Sequence, residues 1–282
     1  MNTIDVLTDE VALKNYIEDK LTDFTDDTLT KIASMSFSHI HSLASVNLPE
    51  VTVIDGTSAF SECDGLETVS IPKITKIPDR MFEKCTKLDN VIFSLVTSIG
   101  ISAFDSCTSL TNFSFPSVTS IGSSAFNKCT SLTSASFPLV TSLGNTAFAA
   151  CTSLTSAYFP LVNSIEANLL TNDTALTSVS FPAATAIKSS ALAGCRSLKS
   201  ATFPSVVSIW TTAFTNDILL EKIVLPVVSS IASDSFYNCP ALTDIYVPFA
   251  SDSSSATGAP WGATNATVHY NTVFDENGEP VI

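Results

Sequence analysis

Positive charge is scarce in this sequence of 282 residues. It contains 13 lysines and arginines against 27 aspartates and glutamates, which gives a formal net charge of −14. Binding to nucleic acid or to an anionic membrane surface requires a basic stripe or patch that attracts phosphate. The composition therefore predicts no nucleic-acid partner and no docking on anionic lipid.

Long apolar runs are absent as well. No run approaches the roughly 20 apolar residues that a membrane-spanning helix needs. The first residues, Met1 to Asp5, have neither the basic segment nor the apolar core of a secretory signal peptide. We therefore expect no membrane insertion and no export signal. The expected location is the cytoplasm or a virion, with the bacterial surface as the alternative.

Residues that carry catalysis or bind metals do not form a recognisable pattern. Only three histidines occur, none of them between Pro49 and Val247, and no CxxC or CxxH spacing appears. His39 and His41 could chelate a metal from one strand face, but no carboxylate or cysteine stands at matching spacing. Paired carboxylates, a nucleophile–base pair and a phosphate loop are also lacking. The sequence predicts no enzyme, no catalytic residue, no metal site and no cofactor.

What is present is a repeat of 22 residues. The seven cysteines follow one another at intervals of 22 or 44 residues: Cys63, Cys85, Cys107, Cys129, Cys151, Cys195 and Cys239. A parallel column of aromatic and leucine residues contains Phe60, Phe82, Phe104, Phe126, Phe148, Leu170, Leu192, Phe214 and Phe236. A leucine column contains Leu66, Leu88, Leu110, Leu132, Leu154, Leu176, Leu198, Leu220 and Leu242. Chance does not produce so many copies in phase, so the chain is a repeat array.

The array has ten units and runs from residue 27 to residue 247. A proline opens most units, and the unit from Pro49 to Ile71 carries one extra residue near Asp55-Gly56. A degenerate first unit is recognised because Leu29–Ile32 aligns with Ile74–Ile77. One unit alone cannot bury its apolar face, but stacked units bury a continuous core.

The spacing within a unit predicts its local structure. Alternating apolar residues in 132–137 indicate a short strand with one face inward, and Pro138 ends it because proline has no N–H for a ladder. The glycines that follow the next inward residue, at 100, 122 and 144, could supply a positive φ in a turn. The run from Ser123 to Cys129 is long enough for one helical or 3₁₀ turn.

The cysteine column is best explained as buried thiols that fill a small slot in the core. Two units carry Asp173 and Asp217 at this position. A carboxylate there could accept hydrogen bonds from nearby backbone N–H groups in a turn. A reactive thiol would need exposure and a basic partner, and the repeats contain no histidine that could act as one.

The repeated pattern Pro-x-x-Val-Thr-x-Ile-Gly-x-x-Ala-Phe-x-x-Cys-x-x-Leu-x-x-Val-x-Phe resembles the BspA-like class of bacterial leucine-rich repeats. The resemblance covers residues 27–247. It implies an α/β fold: a right-handed solenoid with a parallel β-sheet on its concave face and short helical or 3₁₀ turns opposite. It also implies adhesion or binding of host proteins at a bacterial surface. The tail from Ala259 to Asn271 looks like the end of repeat proteins often encoded among phage or prophage structural genes.

Both ends are predicted to form caps. In residues 1–26, Leu13, Ile17, Leu21 and Phe24 fall at helical spacing behind Thr8, a candidate N-cap. This helix is either a lid on the first unit or an element for homo-oligomerisation or attachment to a larger assembly. Residues 248–282 form the C-terminal cap, with a last strand, a turn at 276–278 and Trp261 packed on the last unit.

The outward positions of the concave strands are the candidate ligand surface. Counted from each column leucine, positions +2 and +4 face outward while +3 and +5 face the core. The surface comprises Thr68, Ser70, Asn90, Ile92, Asn112, Ser114, Ser134, Ser136, Ser156, Tyr158, Ser178, Ser180, Ser200, Thr202, Lys222, Val224, Asp244 and Tyr246. A tyrosine among hydroxyls offers a stacking ring and hydrogen-bonding groups suited to a glycan or an extended peptide.

Two functions are compatible with these observations. The favoured one is a non-enzymatic interaction or adhesion scaffold that binds a protein or a glycan through the solenoid surface. The alternative is a structural or receptor-binding subunit of a phage or phage-like particle, attached through its N-terminal helix.

Overall fold

The computed structural model describes residues 21–281 as a solenoid of parallel strands with about 11 turns. Two kinds of strand alternate along the chain. The three-residue strands, termed front strands, are β1 (Asp23–Thr25), β3 (Ser45–Asn47), β5 (Thr68–Ser70), β7 (Asn90–Ile92), β9 (Asn112–Ser114), β11 (Ser134–Ser136), β13 (Ser156–Tyr158), β15 (Ser178–Ser180), β17 (Ser200–Thr202), β19 (Lys222–Val224), β21 (Asp244–Tyr246) and β22 (Thr267–His269). The two-residue strands, termed side strands, are β2 (Lys31–Ile32), β4 (Val53–Ile54), β6 (Lys76–Ile77), β8 (Ser98–Ile99), β10 (Ser120–Ile121), β12 (Ser142–Leu143), β14 (Ser164–Ile165), β16 (Ala186–Ile187), β18 (Ser208–Ile209) and β20 (Ser230–Ile231).

Strand pairing keeps the register of the repeat. The front strands pair in parallel in three sheets, β1-β3-β5-β7-β9, β11-β13-β15 and β17-β19-β21-β22. Ser134 lies opposite Ser156, and Ser156 lies opposite Ser178, so equivalent residues of successive units face one another. Because the units are alike and stack in register, equivalent residues form straight columns through the molecule.

The core consists of these columns. Phe126 is fully buried, and its ring stacks on those of Phe104 and Phe148, with centroids 5.2 Å and 5.1 Å away and nearly parallel planes. Leu132 of the same unit and Val140 of the next are also buried, at 1% and 0% exposure. The predicted inward positions are confirmed.

The predicted helical or 3₁₀ turns opposite the front sheet are wrong. The segment from Ser123 to Cys129, like its equivalents, forms successive turns; the one helix among residues 21–281 is a 3₁₀ turn at Ser254–Ala256. The N–H groups of Ser124, Phe126 and Lys128 donate to carbonyls of the next unit at 2.8–2.9 Å. Amides committed to a neighbouring unit cannot form the i to i−4 bonds of an α-helix. The α/β assignment therefore fails, and the fold is a β-solenoid.

The backbone of this back segment alternates in handedness. Ser124 and Lys128 have φ of 57° and 58°, and the same two positions are left-handed in most other units. The glycines at 122 and 144 are not among the residues with positive φ, contrary to the sequence prediction. A Cβ at Gly144 would lie 2.2 Å from the backbone nitrogen of Ser123. Glycine is required there because two backbones approach closely.

The cysteine column is buried, as predicted. Each thiol donates to a main-chain carbonyl of the preceding unit, as when Cys129 Sγ donates to the Phe104 carbonyl at 3.2 Å. The seven cysteines are all free and buried. At the two aspartate positions the carboxylate instead accepts a backbone N–H, from Cys151 to Asp173 Oδ1 at 2.8 Å and from Cys195 to Asp217 Oδ1 at 2.7 Å.

The predicted N-terminal helix falls mostly on residues 1–20, which lie outside the described residues. Its last part is wrong, because Asp23–Thr25 form β1 and pair with β3. Phe24 packs against the core, and its ring centroid lies 5.0 Å from that of Phe37. The front sheet therefore begins before residue 27.

The C-terminal region continues the solenoid by one rung. Strand β22 pairs with β21, and the N–H of Phe236 donates to the carbonyl of Trp261 at 2.9 Å. Trp261 is fully buried, and its indole N–H donates to the Thr257 carbonyl at 3.1 Å. The expected packing of Trp261 on the last unit is confirmed. Within residues 21–281, helical structure of the length and apolarity that a bilayer crossing requires is not found.

The ladder of side strands is interrupted twice, between β4 and β6 and between β12 and β14. A groove of about 490 Å³ opens at the first break. In most other units the residue after the side strand donates to the previous unit, as Gly122 does to the Ile99 carbonyl at 2.8 Å. Pro78 occupies this place after β6 and has no N–H to donate. Gly56, beside the extra residue of the preceding unit, also lines the groove.

Candidate ligand surface

The front face, formed by the outward side chains of the front strands, is solvent-exposed over the middle of the array. Strand β11 shows the pattern clearly, since Ala135 is buried while Ser134 and Ser136 are exposed. Ile92 and Tyr158 are 60% and 44% exposed. The exposed members of the predicted surface are Thr68, Ser70, Asn90, Ile92, Ser114, Ser134, Ser136, Tyr158, Ser178 and Ser200.

Tyr158 stands alone among small hydroxyl residues. The register places Ser136 and Ser180 on either side of it, in β11 and β15. Serine reaches only one bond beyond Cβ, and Tyr158 is 44% exposed, so part of its ring is accessible to a ligand. The neighbouring column of Ser134, Ser156 and Ser178 supplies donors and acceptors that alternate with the strand spacing of about 4.8 Å.

The front face carries no formal charge from β5 to β17. Its outward residues there are serine, threonine, asparagine, isoleucine and tyrosine. The net charge of −14 is therefore carried elsewhere. A surface without charge recognises its ligand through hydrogen bonds and ring stacking, because long-range electrostatic steering needs a field of one sign.

The C-terminal part of the predicted surface is covered. Val224, predicted to face outward, is only 1% exposed, and Lys222, Asp244, Tyr246 and Thr202 are half-buried. Residues 273–281, termed the C-terminal hairpin, lie over this part of the front face. Because the chain itself occupies it, the predicted exposure of Val224 is wrong.

The contacts that cover Thr202 and Lys222 come from the tip of the hairpin. Glu279 Oε1 accepts a hydrogen bond from Thr202 Oγ1 at 2.8 Å, and its Oε2 lies 3.3 Å from Lys222 Nζ. Gly278 is buried against Pro204 and Pro226. The sequence indicates the turn at 276–278 through its Asn-Gly pair. Its docking site is 57 to 77 residues away along the chain, and no local pattern could reveal it.

A cluster of aromatic and charged side chains lies across β19, β21 and β22. Tyr246 and His269 stack with ring centroids 4.2 Å apart, and Lys222 Nζ lies 5.3 Å from the Tyr246 ring centre. His269 Nε2 lies 2.7 Å from Asp244 Oδ1, and this hydrogen bond is the main reason that the pKa of Asp244 is lowered. The side chains of this cluster therefore have their partners within the cluster.

The two histidines of the first unit are paired with acidic residues. His39 Nε2 lies 3.4 Å from Glu62 Oε2, and His41 Nδ1 lies 2.8 Å from Asp64 Oδ1. Groups of three or more histidine, cysteine or acidic side chains placed to hold a metal ion are not found between residues 21 and 281.

Comparison with known proteins identifies the family. The family model for the BspA type leucine rich repeat region matches residues 14–133, 92–186 and 163–256, in six copies. These overlapping ranges cover far more than half of the chain, so this protein belongs to the BspA-type leucine-rich repeat family. The resemblance drawn from the repeat pattern is confirmed. A search of the curated proteins finds no match.

Two solved structures of bacterial leucine-rich repeat proteins are similar to this chain. A leucine-rich repeat protein from Bacteroides ovatus is 22% identical, with a TM-score of 0.65, over 87% of this chain and 76% of that chain. A leucine rich cell surface protein from Faecalibacterium prausnitzii is 26% identical, with a TM-score of 0.46, over 86% of this chain and 81% of that chain. The likeness to the Bacteroides ovatus protein shows that this chain has the leucine-rich repeat fold.

Proposed function

We propose that this protein is a non-enzymatic interaction scaffold that binds a protein or a glycan through the exposed part of its front face, strands β7 to β15. The observation that carries the proposal is Tyr158, 44% exposed between the serines of two neighbouring strands. The core columns do not need this tyrosine, because serine occupies the same position in the adjacent units. Tyrosine is enriched at interfaces because its ring is apolar and its hydroxyl can hydrogen-bond, and this supports a role of Tyr158 in binding.

The neutrality of the front face and the regular spacing of its hydroxyls indicate the kind of ligand that fits it. Repeated strands present equivalent hydroxyls at intervals of about 4.8 Å, which suits an elongated ligand with regularly spaced polar groups. Extended peptide segments and oligosaccharides both have this property. When such a ligand lies on another cell, the scaffold acts as an adhesin.

The test compares two tyrosine variants of the full chain. Tyr158→Ser removes the ring from the front face, and Tyr237→Ser removes a ring that is 61% exposed on the back segment. Each variant and the wild type are screened on arrays of oligosaccharides and of extended peptides, and Kd is then measured for each ligand found. We expect Tyr158→Ser to weaken binding by at least about ten-fold, as for an aromatic hot spot, and Tyr237→Ser to leave it unchanged.

Thermal unfolding is measured as a control for correct folding, and both variants should unfold at the wild-type temperature. A ligand that binds wild type and Tyr158→Ser equally would overturn the proposal, as would one whose binding depends on Tyr237. The two arrays separate the ligand classes, because one of them should give a signal that depends on Tyr158.

A further inference from the structure

The C-terminal hairpin has hydrogen bonds of its own in addition to its contacts with the front face. The Val281 N–H donates to the Val273 carbonyl at 2.8 Å, and Phe274 and Pro280 form an antiparallel bridge. At the turn, Asp275 Oδ1 accepts the backbone N–H groups of Asn277 at 2.9 Å and of Glu279 at 2.8 Å. These hydrogen bonds define the turn that presents residues 278 and 279 to the front face.

Those two residues fit the surface beneath them closely. Gly278 has a φ of 78°, and a Cβ on it would lie 3.2 Å from Pro226 Cγ and 3.6 Å from Pro204 Cβ. Glu279 places its carboxylate between Thr202 Oγ1 and Lys222 Nζ. Among the outward positions of the front strands, Lys222 is the only lysine or arginine. The contact thus has two parts: Gly278 lies against two prolines, and the carboxylate of Glu279 lies near Lys222.

The hairpin makes few polar contacts with the front face, and they lie at this tip. In its arms, Val273 and Val281 are 67% and 59% exposed, while Phe274 and Pro280 are half-buried. The Lys222 and Glu279 side chains are themselves 37% and 49% exposed, and ion pairs in contact with water contribute little. A segment with one small contact opens readily while the core beneath it stays folded.

We propose that the C-terminal hairpin is an internal occupant of the front face and that a partner protein binds there by replacing it. The partner segment is an acidic turn in which a glycine precedes a glutamate or aspartate. It docks on Thr202, Lys222 and Val224 beside the two prolines. This inference rests on the proposed function, since it assigns a second, more selective part of the same face. Val224 is the apolar residue that release of the hairpin exposes.

The test uses full-length variants and a peptide of this chain as the probe. Glu279→Lys places two positive charges side by side and should release the hairpin. Glu276→Lys makes the same charge change on the same turn, where the side chain is exposed and makes no hydrogen bond or ion pair in the structure. The probe is a fluorescein-labelled peptide with the wild-type sequence of residues 272–282, and its binding is followed by fluorescence anisotropy.

The expected results follow from competition between the tethered and the free turn. The free peptide should bind Glu279→Lys at least about ten-fold more tightly than wild type or Glu276→Lys, because a tethered occupant lowers the apparent affinity. The double variant Lys222→Ala/Glu279→Lys should lose this binding.

Two outcomes would overturn the inference. They are absence of peptide binding to Glu279→Lys, and peptide binding to the double variant that survives Lys222→Ala. The double variant Tyr158→Ser/Glu279→Lys separates this inference from the proposed function, since Tyr158 lies on β13, two strands before Thr202 on β17. It should retain the peptide while losing the ligands found through Tyr158.

Discussion

Asp217 occupies the place of a column cysteine, and its Oδ1 accepts the backbone N–H of Cys195, one unit earlier, at 2.7 Å. Asp217 is fully buried, and its Oδ2 has no hydrogen-bond partner in the structure. Asp173 repeats the arrangement with Cys151. Burial raises the pKa of both carboxyl groups well above the ordinary value for aspartate, because the charged form would lose its hydration.

The raised pKa of Asp217 predicts how Asp217→Asn changes stability with pH. A carboxyl group whose pKa is higher in the folded state binds its proton more tightly there. Its contribution is therefore complete below the unfolded-state value of 3.8 and is lost as pH rises toward the folded-state pKa. Asparagine keeps an oxygen that accepts the Cys195 N–H and cannot ionise. We expect Asp217→Asn to become progressively more stable than wild type from pH 4 upward.

Urea unfolding of both proteins at several pH values between 4 and 8 measures this difference. Its slope for one carboxyl group is at most about 1.4 kcal/mol per pH unit. Asp252→Asn, on an exposed loop, serves as the control and should show no such trend. A difference between Asp217→Asn and wild type that stays constant across this range would contradict the prediction.

The cysteine column predicts native thiols that do not react. Burial raises the pKa of the Cys63 and Cys239 thiols to about 12, and it raises the pKa of the other five well above the usual range. Only the thiolate attacks a disulfide reagent. Ellman's reagent should therefore detect none of the seven thiols in the native protein and all seven in guanidinium chloride.

A new thiol at an exposed position calibrates that measurement. Ser134→Cys, on the front face, should react as one thiol in the native protein. Rapid native reaction of a wild-type cysteine would show that the column is open to solvent.

The stacked phenylalanine column predicts a strong dependence on side-chain volume at residue 126. Phe126→Ala should lower the free energy of unfolding by about 3–5 kcal/mol, because it leaves a cavity between the rings of Phe104 and Phe148. Phe126→Leu should cost less than about 1.5 kcal/mol, since leucine fills the same column at Leu170 and Leu192. Ile92→Ala, on the exposed front face, should change stability by less than about 0.5 kcal/mol. Equal effects of the alanine and leucine variants at position 126 would contradict this account.

The interrupted ladder predicts unequal protection of equivalent amides. The Thr119 N–H donates to the Thr97 carbonyl at 2.9 Å, whereas the equivalent Thr75 N–H lies at the break between β4 and β6 and makes no such bond. Native-state hydrogen exchange should be at least about ten-fold faster at Thr75 than at Thr119. Similar protection at the two amides would show that the ladder closes in solution.

The repeat pattern predicted the core well. The period of 22, the inward positions of Phe126, Leu132 and Val140, and the buried cysteines all follow from which residues recur. Because similar units stack on one another, residues that recur at the same position of the repeat contact each other. The outward hydroxyls of the front face were predicted from strand alternation. Thr68, Ser134 and Ser200 are exposed, whereas Ser156 and Ser180 are half-buried.

The same reasoning failed where hydrogen bonds leave the unit. Ser123 to Cys129 has the length of a helical turn, but its alternate amides bond to the following unit, and a pattern read within one unit cannot show that competition. Val224 looked like an exposed ligand residue because its cover, the C-terminal hairpin, lies far along the chain.

The amino-acid sequence by itself determined the repeat, the family and the core columns, because each depends on residue type at a fixed period. Only the tertiary structure decided the left-handed backbone positions of the back segment, the break and groove between β4 and β6, and the docking of Glu279 on Lys222. These features depend on which groups 21 to 77 residues apart form hydrogen bonds, and the stacking of the units sets those partners.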